Sequence, residues 1–173
     1  GANATVLFGP DVADGANASN VIINSPNTAG AGNYNVQLNG AKYITFNNLT
    51  FGTSSAVAGR IFWLRNSSQQ INIQNCVLNG RTVTSSTITE DALIYSEPTN
   101  AISDIMITGN TFNAGDYAMN LDGGGSGPTV TNVLISNNKI NNFFSRGISI
   151  QRYTIPIIQD NVITSNTTNA NPI

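Results

Sequence analysis

The feature that most constrains the fold is a short pattern that returns six times along the 173-residue chain. It has apolar residues at its first, third and eighth positions, with small polar residues following the third. The copies begin at Val21, Ile44, Ile71, Ile105, Val133 and Pro156, at intervals of 23, 27, 34, 28 and 23 residues. A repeat period of roughly 20–50 residues is typical of solenoids, whose units bury their apolar side chains only by stacking.

Each repeat contains a second apolar alternation upstream of the first. Its predicted core-facing pairs are Val36/Leu38, Phe62/Leu64, Leu93/Tyr95, Met119/Leu121 and Ile148/Ile150. Alternation with a period of two predicts strands, and the polar residues between them predict corners. Each coil is therefore expected to hold two strands, a short third strand and three turns, with coils stacked about 4.8 Å apart.

The segment 39–51 is very similar to one coil of a known architecture. Over residues 20–165 the pattern resembles right-handed parallel β-helix proteins of the pectate-lyase-like superfamily. The resemblance implies an all-β fold, a single right-handed parallel β-helix over 1–173 with about six coils. An antiparallel β-sandwich is the competing fold, but it requires tight hairpin turns every 8–12 residues or so rather than one motif kept in phase.

In that superfamily an inward asparagine often stacks at the corner after the second strand. The matching positions are Leu49, Cys76, Asn110, Asn138 and Asn161. The resemblance thus implies a partial asparagine ladder of Asn110, Asn138 and Asn161, continued by two apolar residues. We expect Cys76 to be a buried packing residue, since the chain has no histidine to activate it.

Composition excludes several functional classes. Charged residues make up 9% of the chain, against roughly 25% in an ordinary domain, and 27 asparagines take much of their place. Seven basic residues against nine acidic ones give a net charge of −2, which is unsuited to nucleic acid. No apolar run approaches the roughly 20 residues of a membrane span. One cysteine and no histidine predict neither a disulfide nor a zinc site, and no cofactor is expected.

The two ends of the chain resemble interior coils rather than caps. Residues 1–8 have the pattern of a coil strand, residues 164–173 are polar and irregular, and neither end has the pattern of an amphipathic capping helix. We therefore expect a fragment lacking end caps, from a secreted or cell-surface protein of bacterial type. Its expected partners are the rest of the parent protein, further copies stacked end to end, or a polysaccharide.

The first-strand face concentrates the residue types that bind sugars. Its predicted outward rows are Gln37, Trp63, Ile94, Asn120 and Ser149; Tyr34, Arg60, Asp91, Tyr117 and Arg146; and Asn39, Arg65, Ser96, Asp122 and Gln151. Related polysaccharide-active proteins use the corresponding face for their substrate. We therefore predict a glycan-binding surface made of Trp63, Arg60, Arg65, Tyr117 and Asn120.

Two functional hypotheses follow from these patterns. The first is a non-catalytic stalk or adhesin module with weak glycan binding. The alternative is a fragment of a polysaccharide lyase or glycoside hydrolase, acting through Asp91, Asp116, Asp122 or Arg146; only the lyase version would use Ca²⁺. Low charge and the absence of histidine favour the first hypothesis.

A stripe of apolar residues is predicted on the outer face of the second strands. Met106, Leu134 and Ile157 occupy the same outward position in consecutive coils. Together with Phe143 and Phe144 they predict an exposed apolar surface, which marks either a covering segment or a partner interface.

Overall fold

A computed structural model describes residues 4–11, 13, 15, 17, 21–86, 88–98, 101–124 and 132–165. The strands in chain order are β1 (Val6–Phe8), β2 (Ile22–Ser25), β3 (Val36–Asn39), β4 (Lys42–Asn47), β5 (Thr50–Thr53), β6 (Phe62–Arg65), β7 (Gln69–Gln74), β8 (Val77–Asn79), β9 (Ala92–Ser96), β10 (Ser103–Thr108), β11 (Thr111–Asn113), β12 (Tyr117–Asp122), β13 (Val133–Ser136), β14 (Lys139–Asn141), β15 (Arg146–Gln151), β16 (Ile157–Gln159) and β17 (Val162–Thr164). A one-turn helix, α1 (Ile88–Asp91), precedes β9, and a 3-10 turn spans Gly30–Gly32.

The described strands form three parallel sheets in which every third strand of the chain pairs. Sheet 1 has the order β3-β6-β9-β12-β15, sheet 2 the order β1-β4-β7-β10-β13-β16, and sheet 3 the order β2-β5-β8-β11-β14-β17. Five complete coils therefore stack on β1 and β2. This is the all-β, right-handed parallel β-helix of about six coils that the repeats predict.

The repeat positions align residue for residue in sheet 2. Ile44 pairs with Ile71, Ile71 with Ile105, and Ile105 with Val133, as the sequence pattern predicts. The copy predicted at Val21 is wrong, because β2 pairs with β5 in sheet 3. The strand that precedes β4 in sheet 2 is β1. The apolar run at 21–23 does not alternate, so the sequence pattern did not show which sheet it belongs to.

The lumen of the coils is filled by apolar side chains from all three sheets. Among the fully enclosed ones are Phe51, Phe62, Phe112, Ile71, Ile73, Leu64 and Leu78. Phe143, predicted on an exposed stripe, instead belongs to this core. The coils thus share one continuous core, as expected for units that cannot bury their apolar faces alone.

A ladder of asparagine side chains runs along the corner between sheets 2 and 3. Asn110 Oδ1 accepts from the backbone N–H of Cys76 at 2.8 Å, and Asn138 and Asn161 repeat this contact one coil further along. Each Nδ2 donates to a carbonyl of the preceding coil, as Asn110 does to Ile73 at 2.8 Å. The partial ladder is confirmed, and Cys76 and Leu49 continue its row as buried residues.

A second amide ladder lies at the end of sheet 3. Asn113 Nδ2 donates to Asn79 Oδ1 at 2.8 Å, and Asn141 Nδ2 donates to Asn113 Oδ1 at 3.1 Å. The three residues are register partners in β8, β11 and β14. Side chains that repeat at the coil spacing hydrogen-bond to one another along the axis, which explains part of the asparagine content.

The corner between sheets 2 and 3 always has two residues in the five complete coils. The first adopts a positive φ in every coil: Asn48, Asn75, Gly109, Asn137 and Asp160. Asparagine, aspartate and glycine tolerate this left-handed conformation best, so the turn chemistry fits the sequence. The turn directs the side chain of its second residue into the lumen, and the asparagine ladder is formed at this second position.

Candidate functional site

The central outer row of sheet 1 brings together an aromatic pair and polar groups. Register partners along the sheet are Gln37, Trp63, Tyr95, Asn120 and Ser149. Trp63 lies between Phe62 and Leu64, which both belong to the core. Trp63 therefore points away from the lumen and packs in a separate cluster with Tyr95, Ala92, Tyr34 and Tyr117.

The predicted register of β9 was wrong by one residue. Phe62 pairs with Ile94, so Ile94 faces the core and Tyr95 takes its place in the outer row. In the flanking rows Ala92 replaces Asp91, and Glu97 replaces Ser96. The run 92–96 is buried throughout, so apolar residues occupy both faces of the strand. The alternation of apolar and polar residues therefore does not indicate which side chains of this strand face the lumen.

An arginine–aromatic stack forms the centre of the face. The Arg60 guanidinium carbon lies 4.5 Å from the ring centroids of both Trp63 and Tyr95. The Arg65 guanidinium carbon lies 4.2 Å from the Trp63 ring. Trp63 is 8% exposed, so its ring is held by two cations rather than presented as an open surface for a sugar.

Four polar atoms of this face are buried with neither a hydrogen-bond partner nor an ion-pair partner. They are Nε and Nη1 of Arg60, Nε1 of Trp63 and Oδ1 of Asn120. Within the described part of the chain, no acidic side chain forms an ion pair with Arg60. Buried polar groups normally find partners, and an unpaired buried cation is especially costly, so this cluster is a candidate binding site.

The backbone of Arg60 is fixed by two buried asparagines. Its N–H donates to Asn33 Oδ1 at 3.0 Å, and its carbonyl accepts from Asn27 Nδ2 at 2.7 Å. Asn33 Nδ2 in turn donates to the Glu90 carboxylate at 2.8 Å. Burial lowers the pKa of the Arg60 guanidinium, and the charge of Glu90 partly opposes this shift. The backbone of Arg60 is thus held in place, and its guanidinium is buried against the two rings.

Arg65 is the more exposed cation of the face. Its Nε lies 2.8 Å from Glu97 Oε1 in an ion pair that lacks linear hydrogen-bond alignment. The Arg65 side chain is 31% exposed, whereas Arg60 is 3% exposed. Tyr117 and its register partner Arg146 lie at the start of their strands on the same face.

The three candidate catalytic aspartates are bound to other side chains. Asp91 pairs with Arg81 through two contacts of 2.6 Å, and Asp116 accepts from the hydroxyls of Ser86 and Ser145. Asp122 pairs with Arg152. Asp91 and Asp116 meet through their backbones, whereas Asp122 lies at the opposite end of β12, five residues from Tyr117. The three carboxylates therefore do not form one cluster.

The described residues form neither a metal-binding cluster nor a membrane-spanning helix. No group of three or more His, Cys, Asp or Glu side chains there has the arrangement of a metal site. None of the described helices has the length and apolar character needed to cross a membrane. Cys76 is a free, buried thiol whose pKa is raised by burial.

The sequence pattern predicted one surface made of Arg60, Trp63, Arg65, Tyr117 and Asn120, and the structure places Tyr117 beside Trp63 on this same face. The prediction missed Tyr95, because the register of β9 was misplaced. It also missed Glu97, which follows directly after that strand. The signal that would have found Tyr95 is the pairing of aromatic residues across neighbouring strands, since Trp63 and Tyr95 are register partners.

Comparisons with protein-family models, with curated proteins and with solved structures found no match for this chain. The fold and its outer face therefore define the protein as a parallel β-helix with an arginine–aromatic stack on sheet 1.

Proposed function

We propose that this chain is a non-catalytic β-helical stalk or adhesin module of a secreted or cell-surface protein, and that it binds glycans through the outer face of sheet 1. The observation that carries the proposal is the unpaired, buried guanidinium of Arg60 between Trp63 and Tyr95. The pectate-lyase-like resemblance of the repeats supports the same face as the binding surface.

The free groups on this face match the oxygen-rich edge of a sugar. Arg60 and Trp63 offer N–H donors, and Asn120 offers an acceptor. A guanidinium presents parallel donors that suit a carboxylate. A sugar that carries a carboxylate would therefore bind more tightly than its uncharged counterpart.

The state of the acidic residues weighs against the enzymatic alternative. A hydrolase needs two carboxylates that face one glycosidic bond. Asp91 is fully buried against Arg81, and Asp122 is paired with Arg152. These pairs give the acids a structural role, whereas the unpaired groups of the face are suited to binding without bond cleavage.

The direct test combines binding with product detection. Calorimetric titration of the chain with oligosaccharides from polygalacturonate, alginate and hyaluronan, and with uncharged xylo-oligosaccharides, would measure affinity. Ultraviolet absorbance and reducing-end assays on the same mixtures would detect cleavage. We expect binding of the acidic sugars without products, weakened at least about tenfold in Arg60→Gln.

Lys139→Gln is the matched control, because it removes one positive charge from an exposed position on sheet 3. It should bind as the wild type does. Product formation would contradict the non-catalytic assignment. Absence of binding to every sugar, or equal losses in Arg60→Gln and Lys139→Gln, would contradict the assignment of the face.

A further inference from the structure

A second candidate site lies on the outer face of sheet 2, where a groove of about 490 Å³ runs across the strands. Its floor contains Asn72, Met106, Leu134 and Ile157, which are register partners in four consecutive strands. The groove therefore follows the axis of the β-helix, and it is formed by residues separate from those of the arginine–aromatic stack.

One wall of the groove is a row of residues with positive φ at or just before the start of the sheet 2 strands. The row comprises Tyr43 (60°), Gln70 (55°), Asp104 (54°), Asn132 (64°) and Ile155 (55°). All five line the groove. The left-handed conformation thus recurs at the same place in every complete coil.

Ile155 is the member of this row whose residue type does not favour the conformation. It is β-branched and precedes Pro156, and both properties disfavour its positive φ. Its side chain is 82% exposed, so little packing offsets that conformational cost. The positive φ recurs in every complete coil and so belongs to the coil geometry, and at Ile155 that geometry leaves an exposed apolar side chain at the rim of the groove.

The groove combines an apolar floor with uncharged hydrogen-bonding groups. Among the described residues that line it, Asp104 is the sole charged side chain. Its carboxylate already accepts from Ser103 and from Asn132, the latter at 2.7 Å. Gln70 and Asn72 supply amide donors and acceptors beside Met106 and Leu134. The ligand that fits is elongated and uncharged, with hydroxyl groups and an apolar face.

We propose that this groove binds an uncharged oligosaccharide chain along the β-helix axis, as a second site independent of the face of sheet 1. Repeating sugars would meet groups that repeat from strand to strand at about 4.8 Å. Apolar C–H surfaces would lie on Leu134 and Ile157, and hydroxyls would bond to Gln70 and Asn72. Ile155 would close over the chain at one end.

Two other occupants fit less well. A peptide adding as a strand needs an open sheet edge, and β4, β7, β10 and β13 are each paired on both sides. Such a peptide could pair with β16 at the end of the sheet, but it would then run parallel to the strands and not along the groove. A second copy of the chain needs roughly 800 Å² of matching surface on each partner. The apolar lining of this groove comprises six residues, of which Ile105 and Val133 are buried in the core.

The test is an NMR titration of the ¹⁵N-labelled chain with cellohexaose, xylohexaose, mannohexaose and chitohexaose. We expect shift changes centred on Asn72, Met106 and Leu134 with at least one of these sugars. Ile157→Asp should weaken that binding at least about tenfold. Val162→Asp is the matched control, because Val162 is 60% exposed on sheet 3 in the same coil as Ile157, which is 51% exposed. Arg60→Gln should leave this binding unchanged.

Ile155→Asn provides a readout that a purely structural role would not give. Asparagine accepts the positive φ, so the melting temperature should rise by about 2–4 °C while affinity for the hexasaccharide falls. Binding at sheet 1 only, no binding to any of the four sugars, or equal losses in Ile157→Asp and Val162→Asp would overturn the proposal. So would concentration-dependent dimerisation in sedimentation that Ile157→Asp abolishes.

Discussion

Asn138 Oδ1 accepts two hydrogen bonds from Asn110, one from the backbone N–H at 2.9 Å and one from Nδ2 at 3.0 Å. Asn138 is thereby the middle rung of the ladder, with Asn161 bonded to it from the next coil. Because each rung satisfies groups in two coils, the ladder couples neighbouring coils as well as closing a turn.

The first prediction concerns that middle rung. Asn138→Ala leaves the backbone N–H of Asn110 and the carbonyl of Ile107 without their partners. Each group is buried, so the free energy of unfolding should fall by about 2–4 kcal/mol. Urea denaturation measures the loss. Asn161→Ala, at a partly exposed rung, should cost less, and equal losses would show that the ladder does not act through burial.

The second prediction extends the ladder by one rung. Cys76 already donates its backbone N–H to Asn110, and its Sγ lies 3.7 Å from the carbonyl of Phe46. In Cys76→Asn, Nδ2 would donate to that carbonyl as Asn110 does to Ile73. The variant should match or exceed the wild type in urea, whereas Cys76→Ala should lose about 1 kcal/mol. An asparagine variant less stable than the alanine variant would contradict this reasoning.

The third prediction uses Trp63 as a reporter. It is the chain's single tryptophan and is 8% exposed, so its fluorescence should be blue-shifted and poorly quenched by acrylamide. Arg60→Lys keeps a cation but loses the planar group that stacks between Trp63 and Tyr95. We expect a red shift and greater quenching in that variant. Emission identical to the wild type would mean that Arg60 does not cover the ring.

The fourth prediction separates structural from catalytic acids. Asp91→Asn removes a buried charge that pairs with Arg81, and should lower the free energy of unfolding by about 2–4 kcal/mol. Arg81→Gln should cost a similar amount, and the double variant should cost less than the sum. Additive losses in this cycle would argue that the two side chains do not depend on each other.

The fifth prediction is a loss of stability at alkaline pH. Burial raises the pKa of the Cys76 thiol above its ordinary value of 9.0, and burial raises that of Tyr95 above 10.0. The folded chain therefore keeps protons that the unfolded chain releases, so stability falls as pH rises past these values. Urea midpoints at pH 7 and pH 10 test this. Cys76→Asn should show a smaller decline, and a decline equal to that of the wild type would exclude the thiol.

The sequence was sufficient to predict the fold where one face of a strand is buried and the other is polar. In sheet 2, Ile44, Ile71 and Ile105 fall in register as the repeats predict. In β9 the prediction failed, because Tyr95 lies under Arg60 and both faces of the strand are enclosed. The face of sheet 1 was predicted from residue type, but its stacked geometry depends on side-chain contacts that alternation does not encode.

The groove on sheet 2 illustrates a different limit. The apolar row of Met106, Leu134 and Ile157 was readable from the repeats, and the register confirms it. The wall beside this row could not be predicted, because nothing in the repeat pattern indicates that Ile155 adopts a positive φ. Propensity argues against that conformation at a residue preceding proline.

The two-residue corner between sheets 2 and 3 has a further consequence. In the five complete coils this corner keeps its length, whereas the other two corners, which both border sheet 1, differ in length from coil to coil. Insertions and deletions can therefore accumulate beside Arg60 and Trp63 without changing the rise of the coil or the packing of the lumen. The scaffold confines divergence to the rim of one surface, so related chains could exchange recognition loops there while keeping the same interior.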